Sequence, residues 1–285
     1  MVDHICNVSA GGKAQPGIEV DIGPVLCHVR DDGIAQVTLN NPPLNVVFRE
    51  LTLVLGQILD ALAKNARVRV VIITGKGRAF CAGSDIAEFQ SLMQPGRIGP
   101  EKLILQQQVF AKLAAFPKPT IAAVHGFAFG GGLEIAVCCD FIVADCDSRF
   151  ALPEIKLGVF PGSGGPVRVT RRIGMTRASK MMLLGEPITA NTALEWGLIS
   201  QVSASGQHAT DALNLAQKLC ERPALAMSLC KKAMSFAWSD DEPDAIARAL
   251  PLSERVFTSN ESREGVRAFL SRQKPDFPND LDHQE

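Results

Sequence analysis

Residues 125–141 read HGFAFGGGLEIAVCCDF. Three consecutive glycines lead into an apolar run that holds one carboxylate, Glu134. Glycine inside a helix costs roughly 0.5–1 kcal/mol relative to alanine, and an ionised carboxylate is costly in an apolar wall without partners. Something local must offset both. A glycine turn between strand and helix lets backbone N–H groups approach a ligand with no Cβ in the way, and the helix N-terminus adds partial positive charge. Glu134 falls in the first helical turn, where its anionic form gains about 0.3–1 kcal/mol. A first-turn glutamate is also an ordinary stabilising choice, so this segment alone does not define a site.

The runs that flank it set the wider frame. TIAAV (120–124) and FIVAD (141–145) are short and apolar, as buried strands are. Upstream, VLCHV and IAQVTL flank Asp32-Gly33 as a hairpin, and Val47, Leu51, Val54, Leu55, Ile58 and Leu62 recur at helical spacing. VRVVIITG then closes a further strand with glycine. Strands alternating with helices predict an α/β core with crossover helices, the glycine-led helix lying over about 131–139. From about residue 175 the β pattern fades, and 175–184, 189–197, 209–221, 223–238, 243–258 and 262–271 read as helical. The 285 residues thus divide into a flexible arm over 1–22, an α/β core over 23–205 and a helical region over 206–285.

Composition removes several function classes. A net charge of −1, from 29 basic and 30 acidic residues, gives no whole-molecule attraction to nucleic acid or an anionic membrane. The eight cysteines show no C-x-x-C pair or zinc spacing, and read as free thiols in a reducing compartment. No window approaches about 18 uninterrupted apolar residues, and the first twenty lack a signal-peptide core. A soluble, cytoplasmic protein without a metal is expected. P-loop, dinucleotide, G-x-S-x-G and H-E-x-x-H signatures are absent. His125 reads as a hydrogen-bonded turn residue in preference to a catalytic base.

Two further segments share the character of the first. GRAFCAGSDIAEF (77–89) follows strand VVIITG with the small residues Ala82, Gly83 and Ser84, where a backbone N–H can point outwards. Two such donors from separate strand ends are what an oxyanion hole requires. ALPEIKLGVFPGSGG (151–165) places Glu154 between a proline and apolar residues in a segment too glycine-rich for an ordinary surface helix.

Taken in order, NPPLN (41–45), AFCAGSDI (79–86), the glycine segment within 118–144, LPEIKLGVFPGSGG (152–165) and the closing ESREGVRAFLSRQKPDF (261–277) resemble the crotonase superfamily, specifically its enoyl-CoA hydratase branch. The resemblance implies a spiral of β-β-α repeats with a helical C-terminal trimerisation region, acyl-CoA thioester substrates, and trimers or paired trimers. It implies no separate cofactor, coenzyme A entering as part of the substrate. Carried over by position, the oxyanion donors are the N–H groups of Ser84 and Gly131, and the catalytic carboxylates are Glu134 and Glu154. Ala82, Gly83, Asp85 and Ile86 line the substrate beside Ser84, and Phe269 and Arg272 of the closing helix meet the CoA adenine, often from a neighbouring subunit.

The chemistry fits that inventory. Hydrating a 2,3-double bond conjugated to a thioester puts negative charge on the thioester oxygen, where two fixed donors stabilise it. Glu134 is expected to activate water, and Glu154, the more desolvated and partly protonated, to deliver the proton. Keeping both glutamates favours hydration over an enoyl-CoA isomerase, the alternative within the family; a non-catalytic RNA-binding relative is the alternative outside it. Two departures from the family pattern bear on the site. Ala87 stands where a polar contact to the CoA phosphates is common, and Pro166 removes a backbone donor after Glu154. Leu92 and Met93 fall where the acyl pocket varies, and ordinary packing explains them equally well.

Overall fold

A computed structural model describes residues 18–277. Its centre is a seven-stranded sheet in the order β1-β2-β3-β4-β5-β7-β10, formed by β1 (Ile18–Ile22), β2 (Val25–Val29), β3 (Ile34–Leu39), β4 (Val70–Gly75), β5 (Thr120–Val124), β7 (Phe141–Asp145) and β10 (Gln201–Ser203). The first three strands are antiparallel and the rest parallel. A second sheet joins β6 (Phe127–Phe129), β8 (Arg149–Ala151) and β9 (Ile188–Thr189). Strand β4 buries Val71 and Ile73 on one face and Val70 and Ile72 on the other, which is why its sequence is continuously β-branched rather than alternating.

The helices are α1 (Arg49–Lys64), α2 (Ala87–Leu92), α3 (Ile104–Ala114), α4 (Gly131–Ala136), α5 (Gly165–Leu184), α6 (Ala190–Glu195), α7 (His208–Cys220), α8 (Ala224–Phe236), α9 (Glu242–Phe257) and α10 (Asn260–Leu270), with a π-helical turn at Gly99–Leu103 and a 3-10 turn at Pro153–Leu157. The core repeats one device. A strand enters the large sheet, the chain crosses to the small sheet, and a helix follows: β5, β6 and α4 form one such unit, and β7 and β8 lead through the 3-10 turn into α5. The unit starting at β4 makes only a bridge there, Cys81 to Ala128, before α2. This is the α/β spiral expected.

Several expectations need correction. Residues 1–17 of the expected arm lie outside the described residues, but 18–22 form β1, paired to β2 from Ile18↔Val29 to Ile22↔Val25. That pairing supplies hydrogen-bond partners for the outer edge of β2. The boundary near 206 falls inside the core, because α7 covers a sheet face with Ala212 and Ala216 packed among Ile34, Val70, Ile72 and Val143. The β content also continues past 175, through β9 and β10. Helix α5 begins ten residues earlier than expected; Gly174, at φ +77° and ψ 163°, breaks it where the periodicity restarts. Helix α4 ends at Ala136 because Cys138 and Cys139 donate to Ile135 and Ala136, tightening the last turn. The seven described cysteines are free.

Candidate active site

The site is built where three loops at strand ends run side by side. Phe80 and Cys81 donate to the His125 and Phe127 carbonyls, Phe129 donates back to Cys81, and Gly130 donates to Ala151. These four bonds bring the segments of Ser84, Gly131 and Glu154 into contact. Glycines permit the closeness. A Cβ on Gly132 would stand 2.2 Å from the Cys81 carbonyl oxygen, and one on Gly130, at φ +49°, would stand 2.8 Å from Glu154 Oε1.

Ser84 and Gly131 adjoin: a Cβ on Gly131 would lie 3.7 Å from the Ser84 nitrogen and 3.5 Å from its Oγ. Ser84 is held on both sides by Val47, whose N–H donates to the Gly83 carbonyl (2.7 Å) and whose carbonyl accepts from Asp85 (2.9 Å). Among the described residues, neither the Ser84 nor the Gly131 N–H meets a protein acceptor. Two neighbouring, unspent amides at the ends of different strands are a ready pair of donors for one oxygen.

Glu134 is 3% exposed. Its Oε1 accepts the Ser163 and Gly165 N–H groups, each at 2.8 Å. Burial raises its pKa above the usual carboxylate value, against the pull of the two N–H groups and the nearby Arg168 guanidinium. Glu154, on the 3-10 turn, is half-buried; burial and the Glu134 charge push its pKa up to about 7 against its own backbone N–H. Its Oε2 is buried and, among the described residues, has no partner. The expected ranking by desolvation is therefore reversed, Glu134 being the deeper. What separates the two acids is hydrogen bonding: two N–H groups from another loop favour the charged form of Glu134, whereas Glu154 has only its own backbone N–H.

A family model described as enoyl-CoA hydratase/isomerase matches residues 30–280. The chain belongs to that family. It is 37% identical over 249 residues to the 2,3-dehydroadipyl-CoA hydratase of Escherichia coli K12, covering 87% of this chain and 96% of that one. It is 32% identical to the short-chain-enoyl-CoA hydratase of Clostridium acetobutylicum, covering 86% and 94%. A crystal structure of an enoyl-CoA hydratase from Mycobacterium smegmatis is similar at a TM-score of 0.84 and 30% identity, over 90% of this chain and 99% of that one.

Within this enoyl-CoA hydratase/isomerase fold, Ala82, Gly83, Asp85 and Ile86 surround the Ser84 donor. Gly83 is buried at φ +113°, the Asp85 carboxylate accepts the Ala87 N–H at 2.9 Å, and Ile86 is exposed at the rim. Phe269 and Arg272 are not brought in. Phe269 is in the last turn of α10 and 83% exposed, Arg272 lies just past its end, and among the described residues neither side chain bonds to the 82–86 loop or to either glutamate. Of the two acyl-pocket candidates, Leu92 is buried and Met93 exposed. Pro166 costs the site nothing: it sits in the first turn of α5, where an N–H has no helical acceptor, and Glu134 uses Gly165 instead. His125 reaches the Gly77 carbonyl at 3.2 Å and stacks on His208, away from both glutamates.

Ser163, Gly165 and Arg168 escaped sequence reasoning as partners of Glu134. The GSGG run marks a tight turn but says nothing of which distant carboxylate its N–H groups face. Gln106, 3% exposed, was also missed; its Oε1 accepts the Ser163 hydroxyl at 2.8 Å.

Proposed function

We propose that this protein is an enoyl-CoA hydratase that adds water across the 2,3-double bond of an acyl-CoA thioester. The observation that carries the reading is the adjoining pair of unspent N–H groups at Ser84 and Gly131, set beside a buried and a half-buried carboxyl of unlike environment. The thioester oxygen takes both N–H bonds, which stabilise the enolate-like transition state by about 2.7–4 kcal/mol per donor. The Glu134 carboxylate removes a proton from water as its oxygen joins C3. Glu154, protonated, delivers its proton to C2, and exchange with solvent resets the pair. In this reading the proton is carried on Glu154 Oε2, which is buried and without a partner among the described residues.

This reading takes the enzyme as cytoplasmic and as a homotrimer or a pair of trimers. Helix α9 buries none of its residues and exposes Ile246, Leu250 and Phe257, a face that subunit contact would cover. Phe269 and Arg272 would reach the CoA of a neighbouring subunit. Among the described residues no helix is long and apolar enough to cross a membrane. An RNA-binding role finds no support in the basic run 168–177. Arg168, Arg171 and Arg172 are spent on carbonyls of Ser163, Trp238, Val137 and Cys139, and Arg177 lies over Trp196. Incubation with crotonyl-CoA and longer enoyl thioesters tests the function. Loss of the conjugated-thioester absorbance is expected, and no loss with any of them would count against hydration.

A further inference from the structure

Lys102 is a buried ammonium that the proposed chemistry does not use. It is 3% exposed, on the π-helical turn, with Nζ 2.7 Å from Glu88 Oε2 and 3.4 Å from the Val47 carbonyl. The Phe89 ring lies 5.5 Å away. Pairing a desolvated ammonium with a partly solvated carboxylate returns little net stability, and an apolar side chain of similar volume often serves as well or better. The pair therefore needs another account, and its position supplies one.

Three segments meet at this ammonium. Val47 is the residue on which both peptides flanking Ser84 hang, through the Gly83 carbonyl and the Asp85 N–H. Glu88 Oε1 accepts the Arg49 N–H at 3.2 Å, at the first turn of α1, and Arg49 Nη1 reaches the Glu101 carbonyl at 2.8 Å. The start of α1, the Ser84 loop with α2, and the π-helical turn are thus laced at one point. π-helical turns are rare and recur at functional sites.

We propose that Lys102, through Glu88 and the Val47 peptide, is a positioning residue that holds the Ser84 N–H at the angle the thioester oxygen requires. The inference rests on the reading of Ser84 and Gly131 as an oxyanion hole. A donor turned off-line loses its effect mainly in the transition state, so the loss falls on kcat and not on KM.

The test compares full-length wild type with Lys102→Met and with Glu88→Gln. One readout is crotonyl-CoA hydration. The other is the absorbance of a bound cinnamoyl-type CoA thioester, which moves to the red when its carbonyl is polarised. Both variants are expected to lose about tenfold or more in kcat, with KM within about twofold and a smaller red shift. The melting temperature of Lys102→Met is expected to hold or rise. Glu88 is partly exposed, so Glu88→Gln decides the matter if Lys102→Met does not fold. Wild-type kcat with a full red shift in Glu88→Gln overturns the proposal, as does a Lys102→Met loss that only follows a fall in melting temperature. A wild type that neither hydrates crotonyl-CoA nor shifts the probe removes the hydratase reading, and the proposal with it.

Discussion

Glu154 keeps one buried oxygen without a partner, while Glu134 holds two backbone N–H groups on one oxygen. Those N–H groups favour the charged form of Glu134, while burial raises the pKa of both acids, that of Glu154 to about 7. Replacing either with glutamine is expected to lower turnover by at least about two orders of magnitude with thioester binding retained, the usual size of acid–base contributions. Full activity in Glu154→Gln would leave a single-base scheme. An acid with a pKa of about 7 must be protonated to donate, so hydration turnover is expected to fall as pH rises through that value. Stability carries the same sign. The folded-state pKa of Glu154 lies above its ordinary 4.5, so across the window from 4.5 to about 7 the folded chain keeps a proton that the unfolded chain has lost. Stability therefore declines as pH rises through that window. Glu154→Gln, always neutral, is expected to melt above the wild type at about pH 8, the gap narrowing toward about pH 5. Equal melting at both would contradict a buried, unaided carboxylate.

At the scale of elements, helix α4 is only six residues long, and its value lies in where its first turn points. Gly132 lets that turn close on Cys81, and any Cβ there meets a backbone carbonyl that has no free rotation to yield. Gly132→Ala is expected to lower unfolding stability by about 1–3 kcal/mol and to depress activity, read by denaturant titration and crotonyl-CoA hydration. An unchanged midpoint and rate would mean the loops are not held as tightly as drawn. The same elements show what the chain discloses in advance. Strand β4 was legible because a strand buried on both faces must be continuously apolar, and α1 because its buried Leu51, Leu55, Ile58 and Leu62 recur at helical spacing. Strand β1 was not, because IEVDI is only five residues long and follows GGKAQPG, whose glycines and proline disfavour regular structure. Strands β9 and β10, of two and three residues, are too short to show a period. Glu134 and Glu154 stood out as carboxylates in apolar runs. The hydrogen bonds that set the two apart did not, because the N–H groups that Glu134 accepts come from residues 29 and 31 positions along the chain.

At the scale of the whole molecule, the large sheet and its covering helices form a closed core, whereas α9 and α10 present Ile246, Leu250, Phe257, Val266 and Phe269 to solvent. Apolar area of that kind is ordinarily covered by contact with another chain. Light scattering is expected to give the mass of three or six chains, and Leu250→Glu with Phe257→Glu is expected to lower it; a monomeric wild type would contradict the assembly. The proposed chemistry turns on one oxygen atom. A crystal structure with a bound enoyl- or acyl-CoA tests it most directly. The thioester oxygen is expected within about 3 Å of both the Ser84 and Gly131 nitrogens, with Glu134 and Glu154 flanking the carbons beyond it. A thioester seated elsewhere, with those two N–H groups still unengaged, would contradict the account.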